Sequence, residues 1–205
     1  MTRVTTVLRR ARKAIQDFDL LKALQSEINH ELSNPAPFQN EERGSLGDFS
    51  IDWDSPNSQD VLLRRRFESG EEVAVSAILG ADASTEDRLP REALVKVCIK
   101  KPGLSSILQF DCRGFGDYRV PNFEIDNANY IASTSGLDSS AYKGPSFSFP
   151  SSLDPTLQTE FLRYLQARGI EENLISFLVL HLHKKEQGQY VNWLHRLQAM
   201  AAQDE

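Results

Sequence analysis

The chain has 205 residues, 40% of them hydrophobic and 25% charged, with nine prolines and a formal net charge of −6. That length supports one substantial core or two small ones, and a single domain is the better reading. The excess of acid argues against nucleic-acid binding driven by bulk charge, and no run approaches the roughly 18 to 20 apolar residues of a membrane-spanning helix.

Residues 1–14 carry Arg3, Arg9, Arg10, Arg12 and Lys13, and no acid precedes Asp17. An Arg-rich, acid-free amphipathic start with Thr2, Thr5 and Thr6 reads as a mitochondrial targeting element; the alternative is a solvated basic helix end. The domain proper is expected over residues 15–201. A helix is predicted over residues 15–32, where Leu21, Leu24, Ile28 and Leu32 fall at i, i+3, i+7 and i+11. Such a narrow stripe packs against another helix, and the spacing serves contact within a subunit and between subunits equally well.

The middle of the chain reads as antiparallel sheet. Strands are predicted at residues 49–53, 61–67, 73–79, 94–99, 107–112 and 123–126, each short, rich in β-branched residues and bounded by turn clusters. Alternation is clearest where Val95, Val97 and Ile99 interleave with Lys96, Cys98 and Lys100. Such a sheet needs one face covered, and helices before and after it can supply the cover, giving an α+β chain. Cys98 and Cys112 flank the turn signal Lys101-Pro102-Gly103 at unequal distances, so on a hairpin they would not face each other and are expected to be reduced thiols. No Asn-x-Ser/Thr acceptor occurs in the chain.

Three amphipathic helical segments follow within residues 153–200. Ser152-Leu153-Asp154-Pro155 is a helix start, with a capping side chain, a proline in the first turn and Glu160 just inside. Leu157, Phe161, Tyr164 and Leu165 recur at helical spacing. Arg168-Gly169 then closes the segment, because a glycine can take the positive φ a helix end requires. Leu174, Ile175, Phe177 and Leu178 open the second segment. A polar link, residues 184–189, separates it from a third with Tyr190, Trp193, Leu194, Leu197 and Met200 on one face. If Trp193 is core, its replacement by Ala costs roughly 3–5 kcal/mol.

The order Phe161-Leu162-x-Tyr164-Leu165-x-x-Arg168-Gly169-Ile170, followed by Gln189-Tyr190-Val191-x-Trp193-Leu194, resembles the C-terminal signature of the mitochondrial glycoprotein family. That family contains the mitochondrial acidic matrix proteins and the complement-globular-head-binding protein of animals. Residues 20–28 and the stretch Gly70-Glu71-Glu72-Val73-Ala74-Val75-Ser76 look most like its plant-type members, and the resemblance spans residues 17–200. It implies an N-terminal helix, a strongly twisted antiparallel sheet of about seven strands, C-terminal helices and assembly into a ring-shaped homotrimer. It also implies that the N-terminal helix pairs with the C-terminal one around Trp193 and Leu197. No cofactor is implied. The partners implied are the protein itself and basic mitochondrial proteins such as ribosomal proteins, with any RNA contact indirect.

Chemistry-bearing patterns are few. His181-Leu182-His183 resembles a metal pair, but helical residues two apart diverge by about 200° and cannot converge on one ion. The sequence contains no phosphate-binding loop, nucleophile elbow or dinucleotide fingerprint. Arg64-Arg65-Arg66 does not form one patch on a strand, where neighbouring side chains point to opposite faces. The acidic doublets Glu41-Glu42, Glu71-Glu72, Glu86-Asp87 and Glu171-Glu172 form a candidate binding surface only as a group. Against the acid-rich insertions of the family's more acidic members, the loops at residues 81–91 and 114–122 are short and mixed in charge.

Two functional classes follow. The first is a non-catalytic acidic scaffold of the mitochondrial matrix, chaperone-like, holding basic clients of ribosome, RNA or respiratory-complex assembly by complementary potential. The second is an enzyme with a carboxylate-based site, for which Asp52, Asp54 and Asp111 are the available acids.

Overall fold

The computed structural model describes residues 2–33, 44–80, 92–115, 122–132 and 153–202, with side chains from Ile15 onward. In chain order the elements are α1 (Thr2–Ser33), β1 (Ser50–Trp53), β2 (Val61–Arg66), β3 (Glu72–Leu79), β4 (Ala93–Lys100), β5 (Ile107–Phe115), β6 (Asn122–Ile131), α2 (Pro155–Gln166) and α3 (Glu172–Ala201). Contacts divide them into two compact units, one of α1 with the part of α3 from Lys184 onward, the other of Glu42–His183.

In the larger unit the six strands form one antiparallel meander in sequence order. That is one strand fewer than the resemblance implied, counted over the described residues. The period-2 pattern sets the layers: Val61, Leu63, Val73, Val75, Val95, Val97, Ile99 and Phe110 are buried on one face, while Arg64, Glu72, Lys96, Asp111 and Arg113 take the other. One register slip would exchange these faces, so the apolar alternation itself fixes the pairing. Bulges place an extra residue in β1, Asp52 between Ile51 and Trp53, and in β6, Asp126 opposite the step from Asp111 to Cys112. Cys112 lies opposite Val95 and Cys98 opposite Gln109, so the two thiols stand on different faces and are free.

Helices α2 and α3 cover the apolar face. Leu165, Ile170, Leu174, Ile175, Leu178, Val179 and Leu182 are buried in one cluster with the strand residues, and Phe161 meets Phe110 edge-on with ring centroids 5.4 Å apart. Asp154 caps α2 by accepting from the amides of Thr156 and Leu157, with Pro155 in the first turn. A hydrogen bond from the Thr156 side chain, followed by the amide bonds from Leu157 and Thr156, holds the Asp154 carboxyl below the usual range. Gly169 ends the turn after α2 at φ 84°, and a Cβ there would lie 2.6 Å from Nη1 of Arg65. The positive φ therefore calls for glycine, and a side chain there would also displace the Arg65 guanidinium.

In the smaller unit α1 pairs with the end of α3. Leu24, Ile28 and Leu194 are buried together, with Tyr190 and Leu197 packed against them. Tyr190 Oη donates to Glu27 at 3.2 Å and Gln198 Nε2 to Gln25 at 2.8 Å. Leu24 and Ile28 of the α1 stripe thus pack within one chain, while Leu32 at its end does not.

Two boundaries differ from the sequence reading. The basic start is itself helical from Thr2, because Arg, Lys, Leu and Ala are strong helix formers and nothing in residues 2–14 breaks the helix. The polar link at 184–189 is not a break, and α3 runs through it for 30 residues. Lys, Glu and Gln are polar yet favour helix, and a single interior glycine, Gly188, costs only about 1 kcal/mol against Ala.

Candidate functional site

The charged side chains of the larger unit fall into two arrangements. The first is a knot at the end of α2. Arg65 leaves β2 on the helix-covered side, donates to the carbonyl of Arg168 at 3.0 Å, pairs with Asp48 and lies 4.3 Å from the ring centroid of Phe67. Arg168 reaches back to the β2–β3 turn, where Nη2 donates to Glu71 Oε2 at 3.0 Å. Its Nε is 2.8 Å from Oε1 but lacks hydrogen-bond alignment, so that second contact is Coulombic. Nη1 donates to the Tyr164 carbonyl at 2.9 Å, and the guanidinium lies 3.5 Å over the Tyr164 ring.

The second is a ladder across the open face of the sheet. Arg64 binds Asp52 through two nitrogens at 3.0 and 2.8 Å and approaches Glu72 at 3.6 Å. Lys96 faces Asp111 at 3.8 Å, and Asp111 also accepts from Gln109 and from the buried Asn129, each at 3.0 Å. Arg113 is held by Asp126 at 2.8 Å, with Glu124 and Glu92 further off. The Asp126 hydrogen bond, followed by these charges, pushes the Arg113 pKa up. Arg64, Arg65 and Arg66 divide between the faces as strand geometry requires: Arg65 joins the knot, while Arg66 pairs with Glu72 at 3.3 Å.

The three acids available to a carboxylate enzyme are each engaged: Asp52 by Arg64, Asp111 as above, and Asp54 by His181 at 2.7 Å, whose ring stacks on Phe177. Burial pushes the Cys98 thiol up and takes Cys112 up to about 12, so both are protonated at neutral pH.

Of the residues singled out from sequence, Leu24, Ile28, Leu165 and Leu194 are buried, and Leu21, Phe161, Tyr190 and Leu197 partly so. Leu32 and Trp193 are instead exposed, Trp193 by 53%. Tyr190, Leu194 and Leu197 follow the seam at i, i+4 and i+7. Trp193 sits one residue off it, about 100° around the helix, stacked on Tyr190 at 5.9 Å between centroids. A core-sized cost for its removal does not apply to this chain alone. Glu41, Glu42, Glu86 and Asp87 lie outside the described residues. Glu71 and Glu72 do not form an open acidic surface: Glu71 is 12% exposed in the knot and Glu72 sits between Arg64 and Arg66. Glu171 and Glu172 are exposed, as are Asp48 and Glu68. Asp48 and Glu171 line one cleft of about 480 Å³ with Arg65. The role of Arg168 in the knot was not legible, since 97 residues separate it from Glu71 and local signals show only a basic residue at a helix end.

The family model of the mitochondrial glycoproteins matches residues 24–200. The chain belongs to that family. The mitochondrial acidic protein mam33 of Schizosaccharomyces pombe is 35% identical over 126 residues, covering 54% of this chain and 44% of that protein, so the chain spans less than half of it. An uncharacterized mitochondrial protein of Arabidopsis thaliana is 29% identical over 189 residues, 85% of this chain and 71% of that one. A hypothetical protein from Leishmania major, described as a sequence homologue of human p32, superposes with a TM-score of 0.66 at 20% identity, covering 91% of this chain and 99% of its own. That likeness shows the fold. The family is one of mitochondrial acidic proteins and not a known enzyme family, and the relatives are named as mitochondrial.

Proposed function

We propose that this protein is a non-catalytic, chaperone-like acidic scaffold of the mitochondrial matrix that works as a ring-shaped homotrimer. It holds basic mitochondrial proteins, ribosomal proteins and respiratory-complex assembly clients among them, and meets RNA only through them. Membership of a family of mitochondrial acidic proteins carries the reading. The charge layout supports it: the carboxylates of the sheet face are occupied in ion pairs, while Glu68, Glu171 and Glu172 stand exposed. Exposed carboxylates beside a neutralised sheet face attract cationic partners without needing a reactive group. Assembly is supported by α1 and α3, where Phe18, Leu32, Trp193 and Met200 remain exposed beside a small buried seam.

The test reverses charge at Glu41, Glu42, Glu68 and Glu171 together, leaving Glu71 and Glu72 in their ion pairs. Capture of purified basic ribosomal proteins falls in the fourfold variant, while any single reversal does little, because one exposed charge contributes at most about 1 kcal/mol. Capture unchanged by the fourfold reversal would sink the electrostatic reading.

A further inference from the structure

One end of the open face of the sheet breaks the pattern that the rest of it keeps. Over most of that face the outward positions are polar or charged, Arg64, Glu72, Lys96, Asp111 and Asn129 among them, as a solvated sheet face requires. Where β1 and β3 end and β2 and β4 begin, the outward positions are apolar instead. Ile78 stands opposite Leu94, and Trp53 opposite Leu62. Leu62 lies diagonal to Ile78, because its own partner on β3 is Ser76, and such diagonal neighbours are about 7–8 Å apart. Ile78 and Leu94 are each 38% exposed and Trp53 53%, so this apolar row faces solvent.

The charges beside the row identify the partner. Leu94 stands opposite Arg113, and Arg113 opposite Glu124. Three carboxylates surround that one guanidinium: Asp126 at 2.8 Å, Glu124 at 3.5 Å and Glu92 at 3.9 Å. Asp126 takes the hydrogen bonds from Nε, and one cation against three acids leaves this end of the face with a net charge of −2 over its described residues. Across the rest of the face Arg64, Arg66, Lys96 and Lys100 outnumber Asp52, Glu72 and Asp111 by one. The face is therefore close to neutral as a whole, and its acid excess is local to the apolar row.

We propose that this end of the open face is where a basic client docks, and that it takes a segment carrying a large apolar side chain beside lysines or arginines. The apolar side chain lies over Ile78, Leu94 and Trp53, and the cations meet Glu92 and Glu124. The proposal rests on the acidic-scaffold reading and places it on named residues. The exterior carboxylates draw the client in, burial of the apolar row supplies affinity, and the local acid excess supplies the preference for cations. An acidic segment is repelled, and a purely polar cation leaves the row uncovered.

The test uses the full chain and three fluorescein-labelled peptides: one mixing Phe and Leu with Lys, a second with Ser in place of each Phe and Leu, and a third with Glu in place of each Lys. Fluorescence anisotropy is expected to show the first binding at least about tenfold more tightly than either counterpart. Leu94→Ser removes its advantage over the Ser peptide, and Glu92→Gln with Glu124→Gln weakens its binding about tenfold. If Leu94→Ser loses the far-UV circular dichroism of the parent, the glutamine pair decides alone. Equal binding of the first two peptides, or binding that survives the glutamines, overturns the proposal. So does light scattering in which Leu94→Ser dissociates an assembly of the parent, since the face would then hold a second copy. If reversal of Glu68 with Glu171 removes binding and the glutamine pair does not, clients dock elsewhere: this proposal falls and the acidic scaffold stands. If neither lysine peptide binds the parent, the scaffold reading falls with it.

Discussion

The knot at Arg168 allows a quantitative test of how the helices are tied to the sheet. Arg168 and Glu71 are 15% and 12% exposed, against 32% and 40% for Arg64 and Asp52 on the open face. Arg168→Ala removes the contact to Glu71, the bond to the Tyr164 carbonyl and the guanidinium packed on the Tyr164 ring. It leaves an enclosed carboxylate without its partner, a change that costs about 3 kcal/mol. Glu71→Ala is expected to cost somewhat less, because Arg168 keeps its carbonyl and its ring. If the two act through each other, the double variant costs less than the sum by about 1–2 kcal/mol. Urea unfolding followed by far-UV circular dichroism at one protein concentration measures all four corners of the cycle. Single costs below about 0.5 kcal/mol, the range of ordinary surface sites, or simple additivity would refute the knot as a tie.

Three further outcomes follow. A Cβ at Gly188 would meet nothing within 4 Å, so Gly188→Ala raises stability in the same assay by about 0.5–1 kcal/mol, the helix-propensity difference. Trp193→Ala lowers the stability of the chain by about 1 kcal/mol, the loss of one aromatic contact, but lowers the assembly mass seen by light scattering if that exposed face joins subunits; an unchanged mass at micromolar concentration argues otherwise. Burial takes Cys112 up to about 12 from 9.0, so between those values the folded chain holds a proton that the unfolded chain has released. Stability is therefore intact below about pH 9 and falls as pH rises toward 12, by at most about 1.4 kcal/mol per unit, and Cys112→Ala flattens that slope.

The sheet was legible strand by strand because a half-buried strand writes its burial into alternate residues, as Val95, Val97 and Ile99 do against Lys96, Cys98 and Lys100. Helix α2 was equally plain from Asp154, Pro155 and Gly169, whose geometric roles are local. The continuity of α3 was not, because polarity at residues 184–189 was read as an interruption although helix propensity and polarity are different properties. The charged surface was the least legible. Glu71 and Glu72 look like an exposed doublet in sequence, yet each meets an arginine that the fold brings to it, Arg168 from 97 residues away. Pairing of that kind depends on topology and leaves no periodic trace.

The central claim, that exposed carboxylates hold basic clients, is tested most directly by the affinity of the full chain for a lysine-rich peptide across a salt series. The account predicts steady weakening as the Debye length shortens from about 10 Å at 0.1 M to 3 Å at 1 M. An affinity that holds constant across that range would contradict it.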